Sequence, residues 1–259
     1  MKILTINTHS LIEDNYETKL EIFVDAICRI RPDVIAMQEV NQTKTADIVA
    51  LGRGFDVRCD NHALRVTKAL NESGLNYRYF WHGIKTAYNE YEEGLAIITH
   101  LPVRKTDSVL ISKKDDASDW RTRYALGIKV GEEWFYSIHT GRYDDTADSF
   151  RNQWERFNTH VWEKERVWVM GDFNCDSDSD GYKEVIASGW YDTFCMAKEQ
   201  DNGVTVRGAI DGWRDGEITD MRIDYIFTNR KVSVKSSKVV FNGINEEKVS
   251  DHYGVIVEA

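Results

Sequence analysis

Short apolar runs, each broken off by a polar side chain and alternating with amphipathic stretches, recur in two mixed halves along the 259 residues. Ile3–Ile6 reads as a strand. Leu20, Phe23, Val24, Ile27 and Ile30 then fall at helical spacing, and Asp33–Met37, after Pro32, is a second strand, which makes a βαβ beginning. Residues 41–73 read as helical, interrupted at Gly52-Arg-Gly54. Consecutive strands are expected at Tyr77–Trp81, Leu95–Thr99, Val103–Ile111, Tyr124–Val130 and Trp134–His139. Phe150, Trp154, Phe157 and Val161 then recur at i, i+4, i+7 and i+11 and predict one apolar helix stripe. A strand at Val167–Met170, a short helix at Tyr182–Ala187 and strands at Arg222–Thr228, Val232–Phe241 and Gly254–Val257 close the pattern. Two sheets packed face to face, with helices outside each, satisfy this succession with a single core. The expected fold is therefore α/β, a four-layer sandwich of two mixed sheets. No break suits a boundary, so residues 1–259 are read as one domain.

The composition, 42% hydrophobic and 29% charged, is that of a soluble globular chain. No apolar run reaches the roughly 18 residues that a membrane span needs. The opening MKILTINTHS turns polar too soon for a signal-peptide core and reads as a strand, so a cytoplasmic protein is expected. A formal charge of −10, with no more than two Lys or Arg residues adjacent, counts against nucleic acid, whose binders draw most of their affinity from a basic surface. The four cysteines, Cys28, Cys59, Cys175 and Cys195, form no CxxC pair and read as reduced thiols.

The informative residues stand where apolar runs stop: Asn7, Glu39 in Met37-Gln-Glu-Val, His139, Asp172 and Asn174 in Gly171-Asp-Phe-Asn, Asp224 in Arg222-Ile-Asp-Tyr, and Asp251-His252. A single polar residue at a strand end is usually a turn or cap residue. The set differs, being rich in carboxylates, amides and imidazoles. Oxygen donors such as Glu39 and Asp251 suit a hard cation, Mg²⁺ or Mn²⁺. Imidazoles beside carboxylates suit activation of water and stabilisation of a phosphoryl transition state.

In order and identity these motifs resemble the endonuclease/exonuclease/phosphatase superfamily, whose members hydrolyse phosphoesters with a divalent metal in a two-sheet sandwich. The resemblance runs from Asn7 to His252. It implies Glu39 as main metal ligand, with Asn7 and Asp251 assisting. It also implies His252 facing the scissile phosphate and oriented by Asp224, Asp172 orienting or deprotonating the attacking water, and Asn174 and His139 holding phosphate oxygens. Two departures count against abasic-site DNA chemistry. The family's repair nucleases usually carry an acid two positions after the first Asn, where this chain has His9. Their tyrosine-bearing loop is replaced by His139-Thr-Gly-Arg142. Asn7-Thr-His-Ser, Glu93-Gly-Leu-Ala-Ile, His139-Thr-Gly-Arg and Ile210-Asp-Gly-Trp resemble a bacterial subgroup that includes maltose 6'-phosphate phosphatase.

Arg123 and Arg142 are candidates for phosphate contact, because a guanidinium fork matches phosphate geometry. His9 joins them as a substrate-binding candidate, and Trp213, in the loop Asp211-Gly-Trp-Arg-Asp-Gly, offers a platform for a sugar ring. Phe150, Trp154 and Phe157 are core. Asp176-Ser-Asp-Ser-Asp180-Gly181 opens like an EF-hand, but Ala187 stands where that loop needs its bidentate Glu, so it reads as an acidic loop with Asp180 capping the next helix. His62, His82, His100 and His160 carry no motif. The expected activity is Mg²⁺-dependent hydrolysis of a small-molecule phosphomonoester, most simply a sugar phosphate. A DNA or RNA nuclease is the first alternative, with sphingomyelinase-like phospholipid hydrolysis and a non-catalytic binding module weaker ones.

Overall fold

The structure is a computed structural model and describes residues 1–208 and 220–259. Its first half runs β1 (Lys2–Asn7), α1 (Tyr16–Ile30), β2 (Val34–Thr43), β3 (Ile48–Ala50), β4 (Val57–Arg58), α2 (His62–Glu72), β5 (Arg78–Ala87) and β6 (Tyr91–Thr99). The second runs β7 (Val103–Leu110), β8 (Tyr124–Val130), β9 (Glu133–His139), α3 (Phe150–Val161), β10 (Val167–Asp172), α4 (Asp180–Ala187), β11 (Tyr191–Asp192) and α5 (Thr193–Met196). After them come β12 (Ala197–Gln200), β13 (Asp224–Thr228), β14 (Val234–Val240) and β15 (Gly254–Glu258).

A seven-stranded sheet has the order β12-β14-β15-β1-β2-β6-β5, and a six-stranded sheet the order β11-β13-β10-β9-β8-β7. Most neighbours are antiparallel; the parallel pairs are β1 with β2 and, at the edge, β12 with β14 in the first sheet, and β9 with β10 in the second. Three apolar clusters separate four layers. Ile3, Val34, Ala36, Leu126, Phe135, Trp168 and Met170 fill the space between the sheets. Leu4, Ile6, Ile35 and Met37 face the opposite way, onto Phe23, Val24 and Ile27 of α1 and Val66 and Leu70 of α2. Phe150, Trp154, Phe157 and Val161 of α3 bury their stripe against Tyr136, Ile138, Val169 and Phe227 of the second sheet. Strands buried on both faces read as continuous apolar runs, so β1 and β2 show no alternation. The expected four-layer sandwich is the fold observed.

The helical reading of residues 41–73 is corrected. β2 continues to Thr43, pairing Val40–Thr43 with Gly94–Tyr91 of β6, β3 and β4 form a small hairpin, and helix begins only at His62. Buried amides disguised this strand: Gln42 donates to the Glu92 carboxylate at 2.7 Å and accepts from Asn61 at 2.9 Å, so polar side chains stand where apolar ones were expected. Ser179, rather than Asp180, caps α4, its hydroxyl accepting from the Tyr182 N–H at 3.2 Å. β5 and β6 run several residues beyond their expected ends, to Ala87 and back to Tyr91. All four cysteines are free thiols. Among the described residues no helix is long and apolar enough to cross a membrane.

Candidate active site

The site lies at the carboxyl ends of the β1–β2 and β9–β10 parallel pairings, where loops diverge and open α/β sheets place their ligands. Register assembles it. Asp172 is opposite His139 on one side and Asp224 on the other, so three of the expected side chains stand abreast on β9, β10 and β13. Gly171 makes this alignment feasible: at φ +150°, a Cβ there would lie 1.9 Å from the Ile138 carbonyl oxygen. The sheets are tied beneath the site by Gln38, which donates to Ser137 Oγ at 2.9 Å, while Ser137 donates to the Met37 carbonyl at 3.1 Å.

Glu39 owes its direction to a break in the pairing of β2 between Met37 and Val40, and to a left-handed φ of 50°. Regular strand geometry would turn it the way of Met37, toward α1. The bulge aims it across the sheets, and such devices concentrate beside active sites. Asn7 donates through Nδ2 to Glu39 at 3.0 Å and to Asp172 at 3.2 Å, and its side-chain oxygen Oδ1 accepts the His9 N–H at 3.2 Å. In this arrangement the Asn7 amide clamps two carboxylates, and ligation of a cation by its oxygen would require the amide to turn over.

Asp172 is the hub. One oxygen accepts the Asn174 N–H at 2.8 Å, and the other lies 3.5 Å from His139 Nε2 and 3.8 Å from His252 Nε2. Asn174, in a left-handed turn at φ 47°, donates to the Thr140 carbonyl at 2.9 Å. His252 Nδ1 is 2.9 Å from Asp224 Oδ2 in a buried pair. Ser250 anchors this segment by donating to the Asn7 carbonyl at 2.8 Å.

Charge is distributed unevenly. Burial pushes Asp172 up to about 7, helped by Asp224 and Glu39 and opposed by His252. Burial, with the charges of Glu93 and Asp251, also raises Glu39. Burial opposes protonation of His252, but the carboxylates of Asp224, Asp172 and Asp251 lift it well above the ordinary imidazole value. His139 goes the other way, pushed well down by burial and by the charges of Arg123, Lys85 and His252.

Glu39, His139, Asp172, Asn174, Asp251 and His252 line one cavity of about 350 Å³, together with Arg123 and Arg142. Lys85, Thr86, Ala87, Tyr88, Glu93 and Trp120 complete its wall. Asp224 sits behind His252. His9, expected to meet substrate, is not among the lining residues: its Nδ1 is 2.8 Å from Glu13 and 4.0 Å from Asp251. Burial would lower its pKa, but the Glu13 hydrogen bond and the charges of Asp251 and Glu39 raise it to about 9. Among the described residues, ligand-type atoms come within 4.8 Å of one another in two groups, His9–Glu13–Asp251 and Asp172–Asp224–His252. Trp213 and the Ile210-Asp-Gly-Trp motif lie outside the described residues.

Lys85 and Trp120 escaped the sequence reading. A lone lysine after the apolar Gly83-Ile84 is a signal, but the expected strand stops at Trp81, whereas β5 runs on to Ala87 and carries Lys85 with it.

Residues 4–252 match the Endonuclease/Exonuclease/phosphatase family. An endonuclease/exonuclease/phosphatase family protein from Leptotrichia buccalis C-1013-b is 32% identical, with a TM-score of 0.91 over 100% of this chain and 98% of that one. The fold is shared by a mannosyl-6-phosphatase from Bacteroides thetaiotaomicron VPI-5482, at 16% identity and TM-score 0.68 over 100% and 98% of the two chains. It is shared too by the 3' phosphatase NExo from Neisseria, bound to a product DNA hairpin, at 16% identity and TM-score 0.67 with the same coverage. No curated protein matches the chain. Family match, strand-end constellation and sandwich agree, and the chain belongs to the Endonuclease/Exonuclease/phosphatase family of phosphoester hydrolases.

Proposed function

We propose that this protein is a phosphatase that removes phosphate from a small-molecule monoester, a sugar phosphate in the first instance, with Mg²⁺ or Mn²⁺ as cofactor. The observation that carries the reading is the cavity. Its volume of about 350 Å³ is at the small end of ligand pockets, room for one phosphate and one ring, and its lining includes His139, Asp172, Asn174 and His252, the groups we assign to the phosphate and the attacking water. The Bacteroides neighbour acts on a sugar phosphate by its name, and the motifs at Asn7, Glu93 and His139 resemble the maltose 6'-phosphate phosphatase subgroup.

The donor set fits a hard divalent cation, in keeping with a family that uses divalent metals. Glu39 and Asp251 offer carboxylate oxygens to the cavity, and Glu39 is pushed upward, as a buried carboxylate beside other negative groups must be. We assign the cation to Glu39 and Asp251, with Asn7 holding Glu39 in position. Once bound, such an ion acts as a Lewis acid toward phosphoryl oxygens. Asp172, poised near neutrality, orients the attacking water and takes its proton. His252, cationic and oriented by Asp224, meets charge developing on the phosphoryl group. Neutral His139 and Asn174 hold phosphate oxygens, and Arg123 and Arg142 add guanidinium contacts.

A second reading, action on nucleic acid, is favoured by the DNA held in the Neisseria neighbour. A phosphate-release screen in Mg²⁺ separates the two, with hexose and disaccharide phosphates, nucleotides, 3'-phosphorylated oligonucleotides and abasic DNA as substrates. Turnover of a sugar phosphate with little action on DNA is expected, since a chain of charge −10 repels a polyanion. Trp213→Ala should weaken a sugar phosphate more than a phosphate ester lacking a sugar. Efficient, salt-sensitive cleavage of oligonucleotides with inert sugar phosphates would establish the nuclease instead.

A further inference from the structure

We propose that Lys85 and Arg123 form a subsite that reads the extra charge and the third terminal oxygen of a phosphate monoester, and so excludes diesters. The inference rests on the phosphomonoesterase reading and adds its specificity determinant.

Arg123 is only 7% exposed and lines the cavity. Its Nη1 donates to the carbonyls of Trp120 at 2.7 Å and Thr122 at 3.2 Å, which fixes the guanidinium plane. Its Nε is buried with no hydrogen-bond partner, and among the described residues no carboxylate pairs with it. Guanidinium groups this deeply buried are ordinarily paired, because desolvating the charge costs several kcal/mol. Lys85, also 7% exposed, gives one N–H to the same Trp120 carbonyl at 3.2 Å and another to Glu93 at 3.1 Å, which leaves the third of its donors. Sharing one acceptor keeps the two cationic heads within about 6 Å of each other, an arrangement that repels unless an anion joins it. Glu93 forms a direct ion pair with Lys85, whereas the carboxylates that favour the charge on Arg123, those of Glu93, Glu39, Asp172 and Asp119, do so without an ion pair to it.

The same cavity contains His139, Asn174 and His252. A monoester has a second pKa of about 6, so near neutrality it approaches a dianion with three terminal oxygens. A diester carries one charge and two such oxygens. With His139, Asn174 and His252 engaging two oxygens, Lys85 and Arg123 meet the third. In a diester that position carries the second ester group, which would replace an acceptor by a substituent and leave a buried cation unmatched.

The test compares p-nitrophenyl phosphate with bis-p-nitrophenyl phosphate, which share a leaving group. The wild-type protein is expected to prefer the monoester. Arg123→Gln should lower monoester kcat/KM by about 10- to 100-fold, the worth of a charge-assisted hydrogen bond, and lower the diester by about ten-fold less. Arg123→Lys, which keeps the charge, should retain part of the preference. An unchanged circular dichroism spectrum and melting temperature report that each variant is folded. Should Arg123→Gln not fold, Lys85→Gln and Arg123→Lys carry the comparison: a reduced preference supports the subsite and an unchanged one overturns it. Equal losses on both esters would overturn the subsite while leaving the phosphomonoesterase reading intact. A wild-type protein that prefers the diester would overturn that reading and the subsite with it.

Discussion

His139 and His252 face the same atom, Asp172 Oδ2, from 3.5 and 3.8 Å, and are held in opposite protonation states. Burial works against charge on both. Asp224, in contact with His252, reverses it there, while Arg123 and Lys85 reinforce it at His139. One imidazole is thereby a cation and the other a neutral donor or acceptor, a division of roles that environment alone creates.

The pairing of Asp224 with His252 predicts strong non-additivity. Asp224→Asn and His252→Ala should each reduce kcat by about 100-fold or more, the scale of general acid–base contributions. The double variant should be little worse than the poorer single one, because both disable one unit. Steady-state rates decide it: a double variant reduced by the full product of the two effects would mean that the residues act separately.

Glu39→Gln removes a full negative charge from the proposed cation site and preserves shape. Activity should fall by orders of magnitude at low Mg²⁺, with the circular dichroism spectrum unchanged, and excess Mg²⁺ should recover part of it. Near-normal turnover at low Mg²⁺ would remove Glu39 from the site.

Gly171→Ala should be costly, because the new methyl meets the Ile138 carbonyl at 1.9 Å in a backbone conformation that L-residues avoid. We expect about 2–4 kcal/mol of destabilisation, toward the top of the single-substitution range. Urea unfolding measures it. A loss below 0.5 kcal/mol would show that β9 and β10 can separate without penalty.

Acid sensitivity should come partly from two buried histidines. Burial pulls His62 down to about 3 and His82 down to about 4, against 6.5 for an ordinary imidazole. The unfolded chain therefore binds the protons more tightly. The stabilisation is complete above about pH 6.5 and is lost as pH falls toward the folded values, at up to about 1.4 kcal/mol per pH unit per histidine. His62→Gln should flatten the dependence of unfolding free energy on pH between 6.5 and 4. An unchanged slope would show that His62 is already charged in the folded protein.

The apolar stripe of α3 and the polar residues that end β1, β9 and β10 were legible in the sequence, because a helix period and an interrupted apolar run are local patterns; Glu39 was expected to end its strand too, but β2 runs past it through a bulge to Thr43. The strand character of Asn41–Thr43 was not, since Gln42 and Asn61 satisfy each other only once β2 and α2 are packed. Nor was Lys85, whose place in the cavity depends on where β5 ends relative to Trp120, a residue of another sheet's loops.

The sequence by itself determined which chemical groups are available: carboxylates, amides and imidazoles at strand ends, in an order that a phosphoesterase family shares. Tertiary structure alone decided what state those groups are in. Asn7 meets Asp172 across 165 residues, and His9, two residues further on, turns to Glu13 instead of the cavity. The same side chain becomes a cation at position 252 and a neutral ring at position 139, because burial sets the cost of charge and only the stacking of two sheets chooses which neighbours offset it.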